Sequence, residues 1–178
     1  MQLSRRGTRA VVVCAVLALT ACSSGGHGGS DEIHADYPSY ASIDELASAS
    51  PVIARFKVSS TVRESTLQPA GTATGGEIPI TLRPSTVTEV LAGDLRVGQT
   101  INLSRPGKLD ESIEGMEDVE PNKEYLLFVE AYPDGRASII GGDEGIFKPA
   151  QAGAAFTSKK FGTVTANTLQ SAARKAHP

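Results

Sequence analysis

Residues 124–140, EYLLFVEAYPDGRASII, contain the feature that decides the fold, an apolar run followed by a tight turn. Residues 125–129 are apolar without alternation, which is the pattern of a central strand covered on both faces. Residues 133–135, PDG, are typical of a β-turn, and a second β-rich run, ASII, begins at residue 137. The stretch therefore predicts two consecutive strands, the first of them central in a sheet.

Three further β-rich runs precede this stretch. In residues 52–62, VIARFKVSSTV, apolar and polar side chains alternate from Ala54 onward, the period of a half-buried strand. Residues 78–91, IPITLRPSTVTEVL, and residues 99–103, QTINL, are separated by a turn at residues 92–94, AGD. Many short strands joined by turns, with few helices, predict a sandwich or a barrel.

Two irregular features interrupt this pattern. Pro84 falls inside a predicted strand, which indicates an edge position or a bulge because proline donates no ladder hydrogen bond. Residues 64–77, ESTLQPAGTATGGE, are polar and rich in glycine, so we predict a long mobile loop between paired strands.

Helices are predicted near each end of the domain. Residues 42–50, SIDELASAS, begin with Ser42 as N-cap and carry Glu45 three residues later, the pattern of a capping box. Residues 165–176, TANTLQSAARKA, begin with Thr165 as N-cap and end in two basic residues that suit the negative end of a helix dipole. A short N-terminal helix and a C-terminal helix are therefore expected.

A resemblance extends over about residues 40–170. Three segments show this resemblance: STVTEVLAGDLRVGQTINLSRPG (85–107), EPNKEYLLFVEAYPDG (120–135) and GGDEGIFKPA (141–150). In this order they resemble a recurring small secreted bacterial domain, similar to the OB-like barrels of netrin modules and metalloproteinase inhibitors. The resemblance implies a fold and no activity, because the N-terminal cysteine chemistry of those inhibitors is lacking. The predicted fold is mainly β, a small five- to six-stranded OB-like barrel with the two helices, formed by residues 37–178 as a single domain.

The first residues have the composition of an export signal. Arg5, Arg6 and Arg9 precede a wholly apolar run, residues 10–19. As a helix this run would be about 15 Å long, roughly half of the ~30 Å hydrocarbon core. A basic start and a short apolar run are typical of a signal peptide rather than of a membrane span.

Residues 19–22, LTAC, resemble the lipobox of prokaryotic membrane lipoproteins. The resemblance implies that residues 1–21 are a lipoprotein signal peptide and that Cys22 is the lipid attachment site, carrying a thioether-linked diacylglycerol. Two acyl chains or more would anchor the protein stably to the extracytoplasmic face of the cell membrane. Export by the general and by the twin-arginine route both stay open.

Residues 22–36, CSSGGHGGSDEIHAD, contain four glycines and almost no apolar residue, so they predict a flexible tether that spans roughly 20 Å. Three of the 17 basic residues lie in the leader, which leaves 14 against 20 acidic ones in the mature chain. This acidic balance disfavours nucleic acid as a partner. Cys14 would leave with the leader and Cys22 would be acylated, so no disulfide is expected.

Catalytic motifs give no positive signal in the sequence. It contains no G-x-S-x-G, H-E-x-x-H, S-x-x-K or G-x-x-x-x-G-K-[ST] motif. Of the three histidines, two lie in the predicted tether and His177 lies next to the C-terminus. We therefore expect a non-enzymatic binding or interaction module without a cofactor, and a carboxylate-based hydrolase stays as an alternative.

An acidic loop provides a candidate ligand site. In residues 109–121, LDESIEGMEDVEP, a calcium loop that starts at Asp110 has its glycine at the sixth position, but proline at the twelfth, where glutamate is required. The candidate metal ligands are Asp110, Glu114, Glu117, Asp118 and Glu120.

Residues 141–145, GGDEG, form a second candidate loop, since glycine permits close backbone approach. A Ca²⁺-binding or small-molecule-binding domain is thus the alternative to a module that binds an envelope protein. A sugar partner is less favoured, because the chain has no tryptophan and four tyrosines.

Overall fold

The computed structural model describes residues 37–68, 77–150 and 155–178. The predicted signal peptide, Cys22 and the tether lie outside the described residues. The elements in chain order are α1 (Ile43–Ala49), β1 (Val52–Val58), β2 (Arg63–Leu67), β3 (Ile78–Ala92), β4 (Thr100–Pro106), β5 (Glu124–Ala131), β6 (Arg136–Ile139), a 3-10 turn (Gly142–Gly145), β7 (Ile146–Pro149), β8 (Ala155–Ser158), β9 (Gly162–Thr165) and α2 (Ala166–Ala176).

Five strands close into a barrel in the order β1-β3-β4-β6-β5, and β5 pairs with β1 to complete the ring. Its ladders are antiparallel except that between β4 and β6, which is parallel. The structure is mainly β, with 46% of the described residues in strands. These findings confirm the predicted OB-like barrel with a short N-terminal and a C-terminal helix.

The strand β5 is the centre of the sheet, as the sequence predicts. It pairs with β1, β6 and β7. Leu127 and Val129 face the interior of the barrel, whereas Leu126 and Phe128 face outward into a second core. Both sets are 1% exposed or less, which explains why the run shows no alternation.

The second core lies between the outside of the barrel and the helices. Leu46 of α1 and Leu169 of α2 pack there against Phe128 and Phe147, whose ring centroids lie 5.2 Å apart. Each fully buried side chain of this size contributes about 1.5–3 kcal/mol to folding. The predicted caps hold these helices in place. The backbone N–H of Glu45 donates to Ser42 Oγ at the start of α1, and Thr165 caps α2 in the same way.

The prediction of a loop over residues 64–77 is wrong for its first part, because Arg63–Leu67 forms strand β2 along β3. The first half of β3 extends beyond its ladder with β1, and there β2 pairs with it on the edge opposite β4. Residues 69–76 of the predicted loop lie outside the described residues. Pro84 lies where β3 changes partner from β1 to β2, a break between two ladders where no N–H is required.

Candidate functional site

A groove crosses the outer face of the sheet where β2, β3, β4 and β6 lie side by side. Its volume is about 380 Å³, within the range of small-ligand sites, roughly 300–1,000 Å³. One wall is apolar: Leu67 of β2 lies opposite Ile78 of β3, and Ile80 lies opposite Pro106 of β4. Ile78 is 41% exposed, so this wall is open to a ligand.

The floor of the groove is polar. Ser104 of β4 and Ser138 of β6 are register partners in the parallel ladder, and their Oγ atoms lie 3.1 Å apart. Ser104 Oγ also donates to the carbonyl of Ala137 at 3.2 Å. The two hydroxyls are therefore held in place between the apolar wall and the turn that follows β5.

The turn between β5 and β6 closes one end of the groove with a cation. Arg136 Nε donates to Asp134 Oδ2 at 2.6 Å, and Arg136 Cζ lies 5.6 Å from the centre of the Tyr132 ring. Hydrogen bonds from the backbone N–H of Arg136 and then from its side chain hold the pKa of Asp134 below its usual range. The guanidinium is thus fixed beside an aromatic ring at the end of the groove.

The side chains of the groove suit the binding of a ligand. A serine nucleophile needs an adjacent base, and the histidine in the described part of the chain, His177, has its Nε2 3.0 Å from the carbonyl oxygen of Ser50, at the end of α1. An apolar wall, two hydroxyls and one guanidinium suit an extended, partly apolar chain that carries a polar or anionic group.

The two loops that the sequence singled out lie against each other. The backbone N–H of Asp143 donates to the carbonyl of Gly115 at 2.8 Å, and the N–H of Glu117 donates to Asp143 Oδ1 at 2.5 Å. Residues 109–121 and 141–145 thus meet at one end of the barrel, although nothing in the sequence pairs them.

Basic side chains pair with at least four of the eight carboxylates in these loops. Glu117 pairs with Lys148 at 2.5 Å, Asp143 with Lys159 at 2.5 Å, and Glu144 with Lys160 at 2.7 Å. Asp118 faces two arginines. An ion pair of this kind competes with any cation for the carboxylate oxygens.

The candidate metal ligands are not gathered around one point. Asp110, Glu114 and Glu120 lie on the exposed side of the loop, while Glu117 and Asp118 turn to their separate basic partners. In the described ranges, no group of three or more histidine, cysteine, aspartate or glutamate side chains has an arrangement that could hold a metal ion. The structure therefore gives a Ca²⁺ site no support.

The N-terminal segment of the domain packs on the same loop cluster. Tyr37 Oη donates to Met116 Sδ at 3.1 Å, and Glu144 accepts from the Tyr40 N–H at 2.8 Å and from Ser39 Oγ at 2.9 Å. Burial raises the pKa of Tyr37. The chain therefore enters the domain at the junction of the two predicted loops.

The sequence does not predict the groove, because its apolar wall starts at Leu67, inside the predicted loop of residues 64–77. A signal was present: Ile78, Ile80 and Leu82 alternate with Pro79, Thr81 and Arg83. That alternation predicts an amphipathic strand but not which of its two faces points into the barrel.

No protein-family model and no curated protein matches the chain. Within the described residues, no helix is long and apolar enough to cross a membrane. The fold and the geometry of the groove therefore carry the functional argument.

Proposed function

We propose that the protein is a lipid-anchored binding module on the extracytoplasmic face of the bacterial cell membrane, and that its ligand is an extended segment of another envelope protein. The observation that carries this proposal is the groove beside β2, with an exposed apolar wall at Ile78 and a fixed cation at Arg136.

An extended protein segment fits the groove by shape and by chemistry. Successive side chains of an extended chain point to opposite sides, so apolar side chains on one side would cover Leu67 and Ile78, above the buried Ile80. Ser104 and Ser138 lie on the floor, where they would meet polar groups of the segment. Arg136 would meet a carboxylate or a carbonyl at the end near the turn.

Nucleic acid is a poorer fit. The chain carries a formal net charge of −3 even with its basic leader. Of the two arginines that line the groove, Arg136 is paired with Asp134 and Arg105 is buried. Sequence-independent binding to nucleic acid needs several cations along a backbone. The acidic balance supports a protein partner instead.

The anchor comes from the leader. A basic start, a short apolar run and the LTAC sequence before Cys22 support acylation of that cysteine. With the predicted tether of residues 22–36, the domain would stay within roughly 20 Å of the membrane surface. A membrane-bound module of this kind would meet its partner in the envelope without leaving the bilayer.

The test is cross-linking of the intact protein in its native envelope, followed by purification and mass spectrometry. Four forms are compared: wild type, Cys22→Ala, Ile78→Ser, and the matched control Val97→Ser, which alters another exposed apolar residue, 68% exposed, outside the groove. We expect a stoichiometric protein partner with wild type and with Val97→Ser, and its loss with Ile78→Ser.

Cys22→Ala separates the anchor from the groove. We expect this variant to leave the membrane fraction while its purified domain still binds the isolated partner. A partner captured equally by Ile78→Ser would rule out the groove as the binding site. Wild type that does not fractionate with membrane would rule out the anchor.

A further inference from the structure

Two arginines lie inside the barrel near one end. Arg83 of β3 and Arg105 of β4 are 9% and 7% exposed. Arg83 lies opposite Leu103 and Arg105 lies opposite Thr81 in the β3–β4 ladder, so the two arginines are diagonal neighbours on one face, within reach of each other for long side chains. Arginine is almost never fully buried unless it is paired, which requires an account of their partners.

The guanidinium of Arg105 donates three hydrogen bonds to the loop that covers this end of the barrel. Nη1 donates to the carbonyl of Glu111 at 2.7 Å, and Nη2 donates to the carbonyls of Lys108 at 2.7 Å and Leu109 at 3.3 Å. Its Nε is buried and lies 3.1 Å from the carboxylate of Asp118, but makes no well-aligned hydrogen bond. A buried charged donor without a well-aligned acceptor is costly, so an anion that could replace Asp118 with better geometry would be stabilised here.

The carboxylate of Asp118 lies near both arginines but makes no well-aligned hydrogen bond with either of them. Its Oδ1 lies 3.1 Å from Arg105 Nε, but outside the direction of the N–H bond, and its Oδ2 lies 3.7 Å from Arg83 Nη2, beyond hydrogen-bond distance. Asp118 carries one negative charge, whereas the two guanidiniums carry two positive charges.

A small, partly open space lies beside the two arginines. It measures about 10 Å³ and is lined by Thr81, Arg83, Arg105, Met116 and Asp118, among others; that is room for one water molecule. Asp118 is the lining residue whose movement would make more room, because its side chain is 46% exposed. The adjacent residues stay fixed, since Glu117 pairs with Lys148 and Val119 is buried.

We propose that this end of the barrel is a binding site for a phosphoryl group, held by Arg83 and Arg105, and that Asp118 occupies the site in the free protein. A dianionic phosphoryl group matches two guanidiniums in charge. Its oxygens would accept from Arg105 Nε and from the guanidinium of Arg83, because Arg105 Nη1 and Nη2 already donate to backbone carbonyls. The carboxylate of Asp118 is then an internal substitute that turns outward when the ligand binds. This site lies on the inner face of β3 and β4, whereas the groove lies on their outer face, and the two share the lining residues Ser104 and Arg105. The proposal does not depend on the proposed function.

The test is a titration of the purified domain with inorganic phosphate, and separately with glycerol 3-phosphate, at ionic strength held constant with sodium chloride. Binding is followed by two-dimensional NMR and by the midpoint of thermal unfolding. The variants are Asp118→Asn, which removes the internal anion, and Arg83→Gln, which removes one guanidinium. The matched control is Arg96→Gln, which alters an exposed arginine in the turn before β4.

We expect saturable binding to wild type, at least about tenfold tighter binding to Asp118→Asn, and about tenfold weaker binding to Arg83→Gln, because each change removes or frees a charge-assisted contact. Arg96→Gln and Ile78→Ser should bind like wild type. Binding of both compounds would identify the phosphoryl end of a larger ligand, and binding of phosphate alone would identify the free anion.

Two results would overturn the site: no saturable response in either wild type or Asp118→Asn, or equal responses in wild type and Arg83→Gln. If Asp118→Asn does not fold in chloride, its recovery by phosphate supports the site. If phosphate does not restore the folding of Asp118→Asn, the site is tested by comparing phosphate binding to wild type with binding to Arg83→Gln.

Discussion

Arg105 and Asp118 meet at the end of the barrel, with Arg105 Nε and Asp118 Oδ1 3.1 Å apart. The same guanidinium donates to three backbone carbonyls of the loop that follows β4. Arg105 therefore joins a barrel strand to the covering loop, and the loop in turn carries Met116, on which Tyr37 packs.

Replacement of Arg105 by lysine should destabilise the domain, because one ammonium group cannot reach the three carbonyls that the planar guanidinium serves. We expect the free energy of unfolding to fall by about 2–3 kcal/mol, since buried acceptors lose charged donors. Urea denaturation followed by circular dichroism measures this. Arg96→Lys, at an exposed turn position, should change stability by no more than about 0.5 kcal/mol, and an equal loss in both variants would contradict the role of Arg105.

Gly142 is required by a close backbone contact between the two loops. Its φ is 55°, and a Cβ atom there would lie 2.2 Å from the carbonyl oxygen of Gly115. Gly162 provides the matched control, because its φ is 64° and nothing lies within 4 Å of a Cβ atom. Gly162→Ala should cost about 1–2 kcal/mol from the left-handed backbone alone.

Gly142→Ala should cost this amount plus at least about 1–3 kcal/mol from the steric overlap. Urea denaturation of both variants measures the difference, and hydrogen exchange of the Asp143 amide should show the loosened contact with Gly115. Equal losses for the two substitutions would show that the loops separate without cost.

Local patterns in the sequence were sufficient for much of the fold. The apolar run around Leu127 is a central strand, and Ser42 and Thr165 cap the helices they were predicted to cap. Each of these depends on residues within a few positions of one another. Pro84, too, lies at a break in pairing, as its missing N–H indicates.

The face assignment in the first half of β3 could not be predicted, because it depends on the other strands. Alternation separates Ile78 and Ile80 from Thr81 and Arg83, and the usual expectation places the apolar set inside. The structure places the apolar set in the outer groove and the polar set at the end of the barrel. The groove and the buried arginine of β3 therefore have the same cause. In the first half of β3 the apolar side chains lie on the outer face and the polar side chains on the inner face, the reverse of the usual arrangement.

Calcium provides a direct test of the acidic loop. Because Lys148 and Lys159 bind Glu117 and Asp143, we expect millimolar Ca²⁺ to leave the midpoint of thermal unfolding unchanged at constant ionic strength. Mg²⁺ serves as the control for general salt effects. A saturable rise with Ca²⁺ alone that Glu117→Gln removes would contradict this expectation and favour the calcium-binding alternative, since a ligand that binds only the folded state stabilises it.

The contact between Glu144 and the N-terminal segment should make stability depend on pH. Burial raises the pKa of Glu144, but hydrogen bonds from Lys160, the Tyr40 N–H and Ser39 outweigh burial and lower the pKa below its ordinary value of 4.5. A carboxyl group whose pKa is lower in the folded state stabilises that state above its unfolded pKa, and this contribution is lost as the pH falls through the folded pKa. The stabilisation should therefore be complete near neutral pH and decline below about pH 4.5.

Glu144→Gln isolates this effect. The difference in unfolding free energy between wild type and Glu144→Gln should be largest near neutral pH and should shrink between about pH 5 and pH 3. Protection of the Tyr40 amide from hydrogen exchange, measured over the same range, should fall with it, because that amide loses its charged acceptor. Asp94→Asn, at an exposed turn position, is the matched control. A difference that stays constant from pH 7 to pH 3 would show that Glu144 does not hold the N-terminal segment through its charge.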